Sequence, residues 1–259
     1  MQPDTYSLEE SLGQNKFNED MEALDGFIGQ GLIADVLGIV KSGKEATVFC
    51  CEAAQGAGVP YFAAKVYRQR DVRSFRNDAV YNAGRLRGAE NRVARAIVTK
   101  TSFGREASFA SWVSDEFQTL SLLHDAGCDV PQPFVHSERV IIMEYIGDEE
   151  GPAPVLSSVR LDRADAERAL AQILRNVELA LAHDRIHGDL SAYNVLYLAG
   201  AVRLIDFPQA VDARFNPNAL SLLERDLANI CGYFDRQGVP ADAGRLARAL
   251  WSRYLRSEL

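Results

Sequence analysis

The 259-residue chain, 47% hydrophobic and 25% charged, can bury a real core, and its formal net charge of −8 excludes the overall basic surface expected of a bulk nucleic-acid binder. The four cysteines, Cys50, Cys51, Cys128 and Cys231, form no Cys-x-x-Cys pair or regular framework, and the four histidines are scattered, which argues against a disulfide scaffold or zinc site and for a reduced, cytoplasmic protein. No apolar run approaches the roughly 20 residues of a spanning helix and the start lacks a leader pattern, so a soluble, untargeted chain without membrane contact is expected. Residues 1–20 are polar and acidic and are expected to be loosely ordered. Beyond them, Leu24, Phe27, Ile28 and Leu32 recur at i, i+3, i+4 and i+8, the spacing of a short amphipathic helix ending near Gly29 or Gly31. The period then changes. Segments 36–40, 46–51 and 60–67 read as three strands of an antiparallel meander, with turns at 41–44 and 55–58.

An Arg-rich stretch, 71–105, has weak periodicity and is expected to be partly helical and partly mobile. Within 68–105, Arg68, Arg70, Arg73, Arg76, Arg85, Arg87, Arg92, Arg95, Lys100 and Arg105 have few acids to balance them. A local RNA contact and a solvated helix face with a mobile loop both fit that composition, and no aromatic platform separates them. Next, Trp112, Glu116, Phe117, Leu120, Leu123 and Ala126 mark a helix that stops at Gly127, and a hairpin over 134–136 and 140–146 closes a first lobe. After a connector at 148–154, a long helix capped by Asp162 carries Leu170, Ile173, Leu174, Val177 and Leu181 on one side. Two β-prone runs, 194–198 and 202–205, flank Ala199-Gly200-Ala201, and the tail has helical stripes at Leu220, Leu223, Leu227, Ile230 and Phe234 and at Leu246, Leu250 and Tyr254. The pattern predicts an α+β, bilobal, protein-kinase-like fold: residues 1–20 as a loose segment, 21–146 as an N-lobe of antiparallel sheet plus helix, and 147–259 as a mainly helical C-lobe.

The chemistry concentrates in His187-Gly188-Asp189-Leu190-Ser191-Ala192-Tyr193-Asn194 and in Ile205-Asp206-Phe207. An Asp that can accept a hydroxyl proton, an Asn five residues on and a second Asp beyond a hairpin are the parts that hold Mg²⁺ on ATP in the pattern His-x-Asp-(x)4-Asn … Asp-Phe-Gly. Each residue alone could be a turn or cap residue; their joint spacing favours a phosphoryl-transfer site. Gly38-Ile39-Val40-Lys41-Ser42-Gly43-Lys44 fits a Walker A string, but Glu45 stands where Mg²⁺ needs a hydroxyl and a strand follows in place of a helix. A turn between strands can instead cover phosphates with the Gly43 and Lys44 N–H groups and the Ser42 hydroxyl. Lys65, in Ala63-Ala64-Lys65 on the third strand, matches the Lys of Val-Ala-Ile-Lys and needs an acid; Glu116 faces inward with Trp112 and Leu120, and Asp115 is the competing choice.

In chain order these parts resemble the RIO family of atypical protein kinases over about residues 21–236. The resemblance rests on Ser42-Gly43-Lys44-Glu45-Ala46 in place of Gly-x-Gly-x-x-Gly, on Met143-Glu144-Tyr145-Ile146-Gly147, and on the loop from His187 to Asn194. Ile205-Asp206-Phe207-Pro208-Gln209-Ala210-Val211 and Asn218-Ala219 with Glu224-Arg225-Asp226-Leu227 extend it. It implies ATP with Mg²⁺, or Mn²⁺, bound between the lobes, the adenine edge on the backbone of Glu144 and Ile146 and packed near Val48, Ala63 and Met143. It further implies Asp189 as catalytic base, Asn194 and Asp206 as metal ligands, Lys65 as phosphate anchor, and Asp206 as a candidate acyl-phosphate site. The implied acceptor is a protein Ser/Thr or the enzyme itself, and family members often act on small ribosomal subunit maturation, which makes a ribosomal particle a candidate partner. No Ala-Pro-Glu motif or long activation segment follows Phe207, and the roughly 20 helix-like residues before Val36 are too few for a winged-helix domain, so the shorter architecture is expected. Two alternatives stand beside this reading. A small-molecule phosphotransferase of the aminoglycoside or choline kinase kind shares the loop, against which stand the short segment after Asp206 and the Ser-Gly-Lys-Glu-Ala turn; a nucleotide-gated binding module with weak catalysis is the other. The sequence carries no signal for oligomeric state.

Overall fold

The computed structural model describes residues 13–68, 102–148 and 150–259. Apart from Arg68, the side chains of the Arg-rich stretch, for which an RNA contact and a solvated helix face stood as equal expectations, are not among those described. The chain divides into two compact units that are not contiguous in sequence: one holds 13–68, 102–117 and 132–146, the other 118–131 and the described residues from 147 to 259.

The first unit is a five-stranded sheet with helices on its two faces. Its strands are β1 (Ile33–Ser42), β2 (Ala46–Ala53), β3 (Tyr61–Tyr67), β4 (Pro133–His136) and β5 (Val140–Glu144), ordered β1-β2-β3-β5-β4 and antiparallel throughout. Side chains alternate across a strand, so β3 sends Phe62, Ala64 and Val66 one way and Ala63, Lys65 and Tyr67 the other. The first set joins Phe49, Cys51, Val140 and Ile142 under Phe17, Leu24 and Phe27 of helix α1 (Gln14–Gly29). Fully buried Phe49 and Phe62 each contribute about 1.5–3 kcal/mol relative to exposure. The second set places Tyr67 beside Ile141 and against Phe109 and Val113 of helix α2 (Ser102–Asp125).

Residues 14–20, expected to be loosely ordered, are helical, because Phe17 continues the stripe of Met21 and Leu24 backward by one turn and seats its ring 6.5 Å from that of Phe49. Residues 1–12 lie outside the described residues.

In the second unit, helix α3 (Arg163–Ala182) is capped as the sequence predicts, the Asp162 carboxylate accepting the Asp165 N–H at 2.8 Å. Helices α4 (Ala219–Arg236) and α5 (Ala243–Leu255) follow, the latter capped by Asp242 on the Arg245 N–H at 2.9 Å. Three short antiparallel pairs complete the unit: β6 (Gly147–Asp148) with β7 (Gly151–Pro152), β8 (Arg185–Ile186) with β11 (Val211–Asp212), and β9 (Val195–Leu198) with β10 (Ala201–Leu204). The β9–β10 hairpin turns on Ala199 and Gly200, with φ 50° and 84°, the double positive φ of a two-residue I′ turn. Among the described residues no helix is long and apolar enough to cross a membrane, and all four cysteines are unpaired.

Candidate active site

In the first unit the third strand and α2 together build an ion pair. Lys65 Nζ lies 2.8 Å from Glu116 Oε1, with both side chains under 10% exposed. Tyr67, two residues on and therefore on the same face, donates its hydroxyl to Glu116 Oε2, and Lys65 Nζ stands 5.0 Å from the Tyr67 ring centroid. Glu116, and not Asp115, therefore takes the Lys65 ammonium. Val48 is registered against Lys65 and Ala63 against Met143, so Val48, Ala63 and Met143 fall on neighbouring strands. One expected phosphate donor, the Gly43 N–H, is already used, and so is the N–H at Glu144, whose backbone was expected to meet adenine. The Gly43 N–H closes its turn on the Ala46 carbonyl at 2.9 Å, and the Glu144 N–H donates to the Gln132 carbonyl at 2.7 Å. Tight turns and sheet edges satisfy their own N–H groups first, so the Ser42 hydroxyl and the Lys44 N–H carry the phosphate expectation, and the Glu144 carbonyl and Ile146 backbone the adenine one.

In the second unit the loop after β8 is held from three sides. The Ile205 N–H donates to the Asn194 carbonyl at 3.0 Å, extending the β9–β10 hairpin and setting Asp206 beside Asn194. His187 Nε2 lies 3.1 Å from the Ile205 carbonyl and its ring 4.7 Å from that of Phe207, which fixes the chain on both sides of Asp206. From α4, the two Asp226 oxygens accept the Gly188 and Leu190 N–H groups at 2.8 and 3.0 Å, Arg225 donates to the Gly188 carbonyl, and Asn229 Nδ2 to the Leu190 carbonyl at 3.1 Å. Burial pushes the Asp226 carboxyl above the ordinary carboxylate range, against the opposing pull of His187, the two N–H donors and Arg225. A cavity of about 20 Å³ under this loop, lined by Cys128, Asn176, His187, Phe207 and Asp226 among others, has room for one water, so it is part of the loop's support and not a nucleotide pocket.

With its backbone pinned, the loop presents Asp189 exposed to solvent. Asn194 is buried, and its Nδ2 donates to the Asp189 carbonyl at 2.9 Å and lies 3.5 Å from Asp189 Oδ2, an assignment of the amide that leaves Oδ1 as an acceptor. Asp206 sits at φ 72°, the left-handed region, where a non-glycine residue costs roughly 1–2 kcal/mol. Strain of this kind persists where the surroundings over-determine it, here the His187 and Asn194 contacts with Ile205. Asn194 and Asp206 offer only oxygen, the donor chemistry of Mg²⁺, which takes one or two protein ligands and completes its octahedron with water and phosphate. Among the described residues no cluster of three or more His, Cys, Asp or Glu could hold a metal alone.

Sequence reasoning overlooked Tyr67, Arg225, Asp226 and Asn229 as parts of the site. The signal for Asp226 was there, since an acid between Leu223, Leu227 and Ile230 points a charge inward.

A sheet carrying a buried Lys–Glu pair and a separate mainly helical unit carrying an Asp–Asn loop ahead of a hairpin-borne Asp define a protein-kinase-like fold. The chain belongs to the RIO family: the family model described as the RIO domain matches residues 47–246. It is 30% identical over 244 residues to the RIO-type serine/threonine-protein kinase Rio1 of Haloferax volcanii, covering 94% of this chain and 77% of the relative. It is 29% identical over 190 residues to the Rio1 of Thermoplasma acidophilum, covering 73% and 93%. Against human serine/threonine-protein kinase RIO1 it is 29% identical over 214 residues, 81% of this chain. The chain spans 35%, 40% and 39% of the length of the RIO1 kinases of human, Schizosaccharomyces pombe and Caenorhabditis elegans.

Proposed function

We propose that the chain is an ATP- and Mg²⁺-dependent RIO-type kinase or ATPase that transfers the γ-phosphate to a protein serine or threonine hydroxyl or to itself. The observation that carries this reading is the Asn194 amide, whose Nδ2 is committed to the Asp189 main chain at 2.9 Å while the Asn194 carbonyl accepts from Ile205, the residue before the strained Asp206. That arrangement separates two jobs. Asp189, exposed, accepts the proton of an acceptor hydroxyl; Asn194 Oδ1 and the Asp206 carboxylate are the metal ligands, and Mn²⁺ suits the same oxygens. Bound Mg²⁺–ATP supplies the transferable phosphoryl group and the cation that offsets its charge. Lys65, oriented by Glu116, anchors phosphate, and Val48, Ala63 and Met143 give an apolar seat for adenine. The relatives, named serine/threonine-protein kinases, support a protein hydroxyl as acceptor. Four unpaired cysteines support a reducing, cytoplasmic setting. The ribosomal-particle partner rests on the family resemblance alone.

Steady-state ADP formation by wild type and Asp189→Asn tests this. Turnover should fall by roughly 10²–10⁴ while ATP affinity is retained, the scale of lost general-base help. Unchanged turnover removes Asp189 from its role, and ADP formation that small alcohols or amines stimulate would move the chain to the small-molecule class.

A further inference from the structure

One guanidinium gathers three segments behind the turn between β1 and β2. Arg68, the residue after β3, donates to the Gly43 carbonyl, to Ser42 Oγ at 3.1 Å and to Thr47 Oγ1, and its own N–H donates to the Glu45 carbonyl at 2.9 Å. Thr47 Oγ1 donates in turn to Asp20 Oδ2 at 2.8 Å, and that carboxylate lies 3.8 Å from the guanidinium. Asp20 is 1% exposed and Thr47 fully buried, so the network is anchored in the interior at that end, while its bonds to Ser42 and Gly43 lie at the surface. Burying a carboxylate is costly, and burial does push the Asp20 carboxyl upward against Thr47, Arg68 and Arg139. Helix α1 already covers the apolar face of the sheet with Phe17, Leu24 and Phe27, so the packing of the helix alone does not call for a buried charge at Asp20.

What the network fixes is the direction of the turn's donors. The Gly43 carbonyl and the Lys44 N–H share one planar trans peptide and point opposite ways, so a guanidinium on the carbonyl turns the Lys44 N–H away from itself. Ser42 Oγ accepts from Arg68, which leaves the hydroxyl hydrogen to donate elsewhere. With the Gly43 N–H spent on Ala46, the Ser42 hydroxyl and the Lys44 N–H are donors the turn can still offer an anion. We propose that Arg68, braced by Asp20 of α1, is a positioning residue that aims the Ser42 hydroxyl and the Lys44 N–H at nucleotide phosphates, which makes the N-terminal helix part of the phosphate site. This role rests on the kinase reading above.

Dissociation constants for Mg²⁺–ATP and for adenosine, measured on wild type, Arg68→Lys and Asp20→Asn, test it. Lysine keeps the charge but replaces the planar fork that spans Gly43, Ser42 and Thr47 with a compact ammonium. ATP affinity should drop roughly ten-fold in Arg68→Lys, the scale of one hydrogen bond to a charged group, with a smaller drop in Asp20→Asn. Adenosine, which lacks phosphates, should bind all three proteins within about two-fold, an outcome a merely structural role would not give. Parallel loss for both ligands, or no loss for ATP, overturns the positioning role while leaving the kinase reading intact. Failure of wild type to bind ATP overturns the kinase reading and this role with it. Should Arg68→Lys fail to fold, Asp20→Asn decides the matter, because it keeps an acceptor for Thr47 and removes only the charge.

Discussion

Replacing Lys65 by Met takes from the Glu116 carboxylate, 5% exposed, the ammonium that stands 2.8 Å away. Removing one partner of a buried pair costs about 3–5 kcal/mol, because the remaining charge keeps its desolvation penalty and loses its compensation. Glu116→Gln alone inverts the problem by removing the carboxylate from a buried ammonium. The double variant buries neither charge, and the glutamine carbonyl can still accept from the Tyr67 hydroxyl. It should therefore be more stable than the sum of the single changes predicts, with a coupling of about 2–3 kcal/mol. Urea unfolding of the four proteins measures this, and Trp112 fluorescence is the local probe, since its ring lies 5.0 Å from that of Tyr67 in the same cluster. Turnover should be lost with Lys65→Met in either background, which separates chemistry from stability. Single effects that add within about 0.5 kcal/mol would refute the claim that the two charges compensate each other.

Asp226→Asn should slow turnover, because an amide oxygen can accept the Gly188 or the Leu190 N–H but its NH₂ cannot accept the other; unchanged turnover would mean that α4 does not set the loop. The pH dependence has a definite sign. Burial raises the Asp226 carboxyl in the folded protein, so the stability it contributes is full below the ordinary carboxylate pKa and is lost as pH rises through the raised value. Urea midpoints of wild type across that window should fall with rising pH more than those of Asp226→Asn, and parallel curves would contradict this. Asp162→Ala should lower stability by about 1 kcal/mol through loss of the α3 cap, read from the same urea curves.

Much of this was legible because local patterns set it. The β3 strand, the Asp162 cap and the hairpin around Ala199-Gly200-Ala201 depend on neighbours a few residues away, and the inward register of Glu116 on α2 identified the acid that meets Lys65. What escaped were contacts that depend on long-range placement. Arg68 reaches Ser42 and Gly43 across some twenty-five positions of sequence, and Tyr67 reaches Glu116 across 49. The early start of α1 was missed because Phe17 is a single apolar residue in an acidic run, and only the sheet face above Phe49 gives it a place to pack. The spent N–H groups of Gly43 and Glu144 likewise follow from turn closure and from the Gln132 carbonyl, which motif spacing does not encode.

The proposed activity requires this chain to move the γ-phosphate of ATP with Asp206 as metal ligand. The most direct measurement incubates the protein with Mg²⁺ and γ-labelled ATP beside Asp206→Asn, and follows released phosphate, protein-bound label and the hydroxylamine sensitivity of that label. Label on protein or steady phosphate release is expected in wild type and loss of both in Asp206→Asn, with hydroxylamine-labile label if the Asp206 carboxylate is itself phosphorylated. Nucleotide binding without release or label in wild type, or equal release by both proteins, would contradict the proposed activity.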